Sequence, residues 1–120
     1  MGLDMYLILE EKETKATVEY SYYRKFNALQ GYFERQFDLE NGGEVLLSVD
    51  KVHDIYTILN EIRYTPERAA EMLPTYPGPF FGTYEYDKLY YSYISQAASD
   101  FYHAKFIDFR KHNLYFTSNW

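Results

Sequence analysis

Leu3-Asp4-Met5-Tyr6-Leu7-Ile8-Leu9-Glu10 is the stretch on which the fold turns. Its side chains alternate, with Leu3, Met5, Leu7 and Leu9 on one face and Asp4, Tyr6 and Ile8 on the other, which is the period of a strand. Both faces are largely apolar, so the strand is expected to be central. Far along the chain, Phe106 to Trp120 alternates in part, and Leu114-Tyr115-Phe116 reads as a closing strand. Pairing it with the first strand predicts an α+β domain: a small, mostly antiparallel sheet of N- and C-terminal strands packed with three to four helices.

Between these strands the period changes. Glu11 to Tyr20 begins polar and regains β-formers at Ala16, so it reads as a second strand or an irregular link. From Ser21, as a helix cap, Tyr22, Phe26, Leu29, Phe33 and Phe37 recur at three and four residues and predict a helix ending near Asp38. Asn41-Gly42-Gly43 is a turn signal, and Glu44 to Leu47 is a strand fragment or extended link. Ser48 caps a second helix striped by Val49, Val52, Ile55, Tyr56, Leu59 and Ile62, and Thr65-Pro66 restarts a short third one to Leu73. Pro74-Thr75-Tyr76-Pro77-Gly78-Pro79 excludes regular structure. A fourth helix carries Tyr86, Tyr90, Tyr93, Ile94, Ala97, Phe101 and Ala104.

The length of 120 residues suits one domain, 1–120, with its own core. With no cysteine, disulfides and thiolate chemistry are excluded, and nothing asks for an oxidising compartment. The apolar runs are far shorter than the roughly 18 residues of a membrane span, and no basic start precedes them. Tyr6 occupies the position where a myristoylation signal needs Ser or Thr. The expected location is therefore the cytoplasm. Twelve basic against eighteen acidic side chains give a net charge of −6, which opposes direct binding to a phosphate backbone. The same charge suits either plain solubility or the binding of basic patches on other proteins. Fifteen Tyr and nine Phe exceed what a core of this size takes up, so some rings must lie at the surface, where Tyr serves interfaces and stacking.

Signals for chemistry are sparse. The chain lacks a Gly-rich phosphate loop and a dinucleotide turn. His53, His103 and His112 are not spaced to share a metal, no elbow motif surrounds any serine, and neither metal nor cofactor is expected. Glu85 with Asp87, and Glu10 with Glu11 and Glu13, are the residue types of acid/base catalysis, yet on so acidic a chain they read as solvated surface.

Two clusters have the chemistry of binding. Phe80-Phe81-Gly82-Thr83-Tyr84-Glu85-Tyr86-Asp87 gathers rings and carboxylates at a helix start, where free backbone N–H groups also collect. The competing reading makes Phe80 and Phe81 core plugs and Thr83 and Asp87 caps. Tyr22-Tyr23-Arg24-Lys25 with Asn27 combines rings and positive charge at another expected helix start and suits a phosphate, unless Arg24 and Lys25 pair with nearby acids. Arg110-Lys111-His112 reads as a solvated turn.

Met1-Gly2-Leu3-Asp4-Met5-Tyr6-Leu7, Tyr23-Arg24-Lys25-x-Asn27, Leu73-Pro74-Thr75 followed by Phe80-Phe81-Gly82, Tyr86-Asp87 and Ser118-Asn119-Trp120 occur in that order along the chain. With these blocks the sequence resembles a family of small phage and prophage proteins, often labelled phosphoglycerate kinase. The residues give that label no support, for a true phosphoglycerate kinase is a far larger two-domain enzyme. The resemblance implies a phage context and a host cytoplasm. By analogy with small acidic phage proteins, it implies a non-enzymatic inhibitor of a host protein, a defence component, acting as anti-CRISPR proteins do. The alternative is a sponge, as a single chain or a homo-oligomer, that traps a nucleotide-like immune signal between Phe81, Tyr84 and Tyr86 with Arg24 or Lys25 on a phosphate.

Overall fold

In the computed structural model, which describes residues 2–78 and 81–120, four strands form one sheet in the order β2-β1-β4-β3. The strands are β1 (Asp4–Glu11), β2 (Thr17–Arg24), β3 (Glu44–Leu47) and β4 (His112–Asn119), and every pairing is antiparallel. The helices are α1 (Asn27–Phe37), α2 (Val49–Tyr64), α3 (Ala69–Met72) and α4 (Lys88–Ala104). This is the expected α+β architecture, and β1 holds the central place, paired to β4 with Leu7 opposite Phe116.

The helices cover one face of the sheet. Leu3, Met5 and Leu7, with Tyr23, Val45, Leu47, Leu114 and Phe116 from the sheet, are buried against them. Phe33 of α1 lies flat on Phe116, with ring centroids 3.8 Å apart and planes 4° from parallel. The α2 stripe Val52, Ile55, Leu59 and Ile62 and the α4 stripe Tyr90, Ile94, Ala97 and Phe101 complete the core. Burying a side chain of that size contributes about 1.5–3 kcal/mol. The opposite face, with Tyr6, Ile8, Tyr22, Leu46 and Tyr115, has no such cover, and none of these five is buried. The doubly apolar pattern of β1 therefore marks a central strand but not one enclosed on both sides.

The helix expected from Ser21 begins later. Residues 21–24 belong to β2, because Tyr22 and Tyr23 alternate between the open and the buried face, which a strand allows and one helical turn does not. The switch falls at Lys25, whose φ of 59° turns the chain and whose N–H donates to the Leu3 carbonyl. The stripe Phe26, Leu29, Phe33 and Phe37 is genuine, but Tyr22 is not part of it.

Ser48 caps α2 as expected, its Oγ accepting from the Lys51 N–H at 3.2 Å. Thr65 makes no such bond, and the segment after it is a 3₁₀ turn, Pro66–Arg68, leading into the single turn of α3. Residues 74–78 are irregular. Among the described residues no helix is long and apolar enough to cross a membrane.

Candidate functional site

The two expected binding clusters meet at the start of α1, and the residue that joins them is Asn27. Its Nδ2 donates to the carbonyls of Phe81, at 3.1 Å, and Thr83, at 2.8 Å, while its Oδ1 accepts from the Tyr76 N–H at 3.0 Å. One buried amide thus satisfies three backbone groups of a loop that has no ladder of its own. Further ties hold the same loop. Tyr76 Oη donates to Glu34, and its ring packs so tightly on Gly31 that a Cβ there would come within 2.6 Å of it. Thr75 donates its N–H to Tyr86 Oη and its hydroxyl to the Tyr84 carbonyl.

On this frame the residues of the first cluster separate. Phe81 is a core plug, buried and edge-on to Trp120 with centroids 5.7 Å apart. Asp87 caps α4, its Oδ1 accepting from the Tyr90 N–H. Thr83 caps a local turn instead, its Oγ1 accepting from the Glu85 N–H. Tyr84 and Glu85 face solvent, Tyr84 being 52% exposed, and Leu89 beside them is 51% exposed. Tyr86 is partly open, its ring edge-on to Tyr90. Phe80 lies outside the described residues.

The second cluster also divides. Lys25 and Asn27 adjoin the loop and, with Thr83, Glu85, Leu89 and Tyr93, line a cleft of about 20 Å³. Arg24 points away, onto the open sheet face, where its Nη1 lies 2.8 Å from Asp4 Oδ1. The same oxygen accepts from Tyr22 Oη at 2.5 Å, and these bonds, the phenol's foremost, hold the Asp4 carboxyl below its usual range. The pairing of Arg24 with a nearby acid is thus what the structure has, whereas Lys25 forms no ion pair among the described residues.

Tyr23 is fully buried and belongs to the core. Its phenol donates to Asp100 Oδ2 at 2.6 Å, and burial, reinforced by that bond, pushes its pKa far above the ordinary range. The structure therefore brings Lys25 and Asn27 to the loop, and sends Arg24 and Tyr23 to opposite faces of the sheet.

Sequence reasoning missed Thr75 and Tyr76 as the loop's fasteners. The Pro/Gly punctuation that flagged the segment says only that it is irregular, not what anchors it. It also missed the open sheet face, although Tyr6 and Ile8 on the second face of β1 were the signal for it. Two shallow depressions of about 420 and 500 Å³ share Lys12 and His112 at the far end of the sheet from the loop. Among the described residues no group of three or more His, Asp or Glu side chains is placed to hold a metal.

Fold and site together define a small α+β domain whose helices cover one face of an antiparallel sheet and whose braced loop displays tyrosine and carboxylate to solvent. No protein-family model, no curated protein and no solved structure matches the chain.

Proposed function

We propose that this chain is a non-enzymatic phage or prophage accessory protein that binds a host protein, a defence component, and inhibits it by occupancy. The observation that carries the reading is the bracing of the 81–87 loop by Asn27, which holds Tyr84 and Glu85 outward on a backbone already fixed. A pre-ordered loop loses little entropy on binding, and exposed Tyr supplies a large contact face with a polar tip. Rings such as Tyr64, Tyr102 and Phe106 are exposed elsewhere, as the aromatic surplus requires. The phage context and the defence target rest on the resemblance of the sequence blocks alone.

The sponge alternative requires the loop to move. The cleft beside Lys25 and Asn27 has room for about one water, whereas pockets for small ligands run to about 300 Å³ or more.

The test is phage plating on bacterial strains that each carry one defence system, with the wild-type chain or Tyr84→Ala/Glu85→Ala expressed. We expect wild type to restore plating in at least one strain and the variant, equally folded by circular dichroism, to fail. Rescue in no strain would remove the inhibitor reading. Equal rescue by the variant would remove the loop as its site.

A further inference from the structure

The open face of the sheet is a feature that the loop leaves without a role. Its middle is apolar and aromatic. Tyr6 lies beside Tyr22, with ring centroids 5.2 Å apart, and Ile8 lies opposite Tyr115, which in turn faces Leu46 on the edge strand. Leu46 is 57% exposed, a cost in water that nothing among the described residues relieves.

Around this centre stand carboxylates. Glu19 is opposite Ile8, Glu10 opposite Asn113 and Glu44 opposite Thr117, all on the same face. Glu10 accepts one bond, from Asn113 Nδ2, and none of the three forms an ion pair among the described residues. Glu10 and Glu44 both lie near the Tyr115 phenol, whose pKa is raised first by burial and then by these two charges. Among the described strand residues of this face the only cation is Arg24, already engaged by Asp4.

We infer that this face is a docking surface for an arginine-rich segment of a partner protein, with Tyr6, Tyr22 and Tyr115 as the floor and Glu10, Glu19 and Glu44 as the counter-charges. A guanidinium satisfies both halves of the surface at once, for it stacks on an aromatic ring and forks two N–H groups onto a carboxylate, which an ammonium does less well. At a strand spacing of about 4.8 Å and a rise of about 3.3 Å per residue, the sheet offers a footprint of roughly 20 by 25 Å. That suits one helix or extended segment and falls short of the roughly 800 Å² per partner of a standard interface.

Charge also selects against other occupants. A second copy laid face to face would set unpaired carboxylates against their own kind, and nucleic acid or an anionic bilayer would meet like charge. The inference does not rest on the loop reading, since the face and the loop use different residues.

The experiment is fluorescence anisotropy of a labelled octa-arginine peptide with the full chain, alongside amide chemical shifts of the complex. Glu10→Gln/Glu44→Gln removes two charges from the face, and Asp54→Asn/Glu67→Gln removes two from the helical side. We expect the face pair to weaken binding at least about tenfold and the helical pair less than about twofold, with octa-lysine weaker than octa-arginine and the largest shifts at Tyr6, Ile8 and Tyr115. Tyr84→Ala/Glu85→Ala should leave the affinity unchanged.

Equal losses from the two charge pairs would mean undirected attraction to a net negative chain and would overturn the inference. So would no saturable binding below about 1 mM, loss of binding in the loop variant alone, or a dimer abolished by Leu46→Glu. If the face pair misfolds, Leu46→Arg on the exposed edge strand repeats the comparison, and retention of full affinity there also counts against the site.

Discussion

The phenol of Tyr23 on β2 donates a 2.6 Å hydrogen bond to Asp100 on α4, across 77 residues of sequence, and fastens the edge of the sheet to the longest helix. Tyr23 also meets Phe26 and Tyr93 edge-on, at 5.8 and 6.4 Å between ring centroids, so the bond sits within packed aromatic surface. Tyr23→Phe keeps the ring contacts and removes only the donor. We expect it to cost about 1–2 kcal/mol, read from the urea midpoint, since the half-buried Asp100 carboxylate then loses a partner.

Alkaline pH should destabilise the fold through the same phenol and that of Tyr90, which donates to the Leu73 carbonyl at 2.7 Å. Burial raises both pKa values far above the ordinary 10.0, with the Asp100 bond adding to the rise at Tyr23 and neighbouring Tyr86 and Tyr91 adding at Tyr90. Below pH 10 both states hold these protons and the stability is complete. Above it the unfolded chain releases them while the fold keeps them, so stability falls with rising pH, by up to about 2.7 kcal/mol per unit for the two groups. Urea denaturation from pH 8 to 11.5 measures this slope, and Tyr23→Phe/Tyr90→Phe should flatten it.

Asn27→Ala should free the loop before it unfolds the domain. The substitution leaves two carbonyls and one N–H without their partner, and a buried unsatisfied group costs about 1–3 kcal/mol. With water admitted to part of the site, a total near 3 kcal/mol is expected. Hydrogen exchange at the Tyr76 amide should accelerate far more than at Leu7 in the sheet, and proteases should cut between residues 74 and 86 first.

Gly31→Ala should destabilise although alanine is the better helix former by about 1 kcal/mol. Its Cβ would stand 2.6 to 2.8 Å from Cγ, Cβ and Cδ1 of Tyr76, the near end of that side chain, which cannot swing clear without breaking its bond to Glu34. A net loss of about 1–3 kcal/mol is expected from overpacking. Tyr76→Ala should lift most of the clash, so the double variant should lose less than the sum of the two single losses. Thermal unfolding of the three variants decides it.

Much of the site's composition was legible beforehand, and little of its assembly. Asp87 as the cap of α4 is one of two capping residues that the competing reading offers, and it holds because capping is a contact between residues three apart. Tyr86, counted into the helical stripe, lies just before that cap and outside α4. Asn27 is different. Nothing adjacent to it in sequence tells that its amide reaches Phe81 and Thr83, more than fifty residues away, so the bracket exists only once β2 has delivered α1 beneath the loop. Arg24 and Lys25 are neighbours in sequence and both reach past Gly2, yet with the left-handed turn at Lys25 one is paired with Asp4 on the sheet and the other lines the cleft beside the loop.

By itself the sequence determined the α+β class, the central strand, the Ser48 cap of α2, the stripes of α2 from Val52 and of α4 from Tyr90, and the irregular segment after Leu73, because periodicity, capping and proline sterics act over a few residues. It did not determine the first expected members of those stripes, for Val49 is exposed and Tyr86 precedes α4. Tertiary structure alone decided where β2 gives way to α1, which rings are buried, what braces the loop, and which apolar face of β1 is left open. A strand fixes that two faces exist. Which of them receives the helices depends on connections and packing summed over the whole chain, and here that choice leaves Tyr6, Ile8 and Tyr115 uncovered.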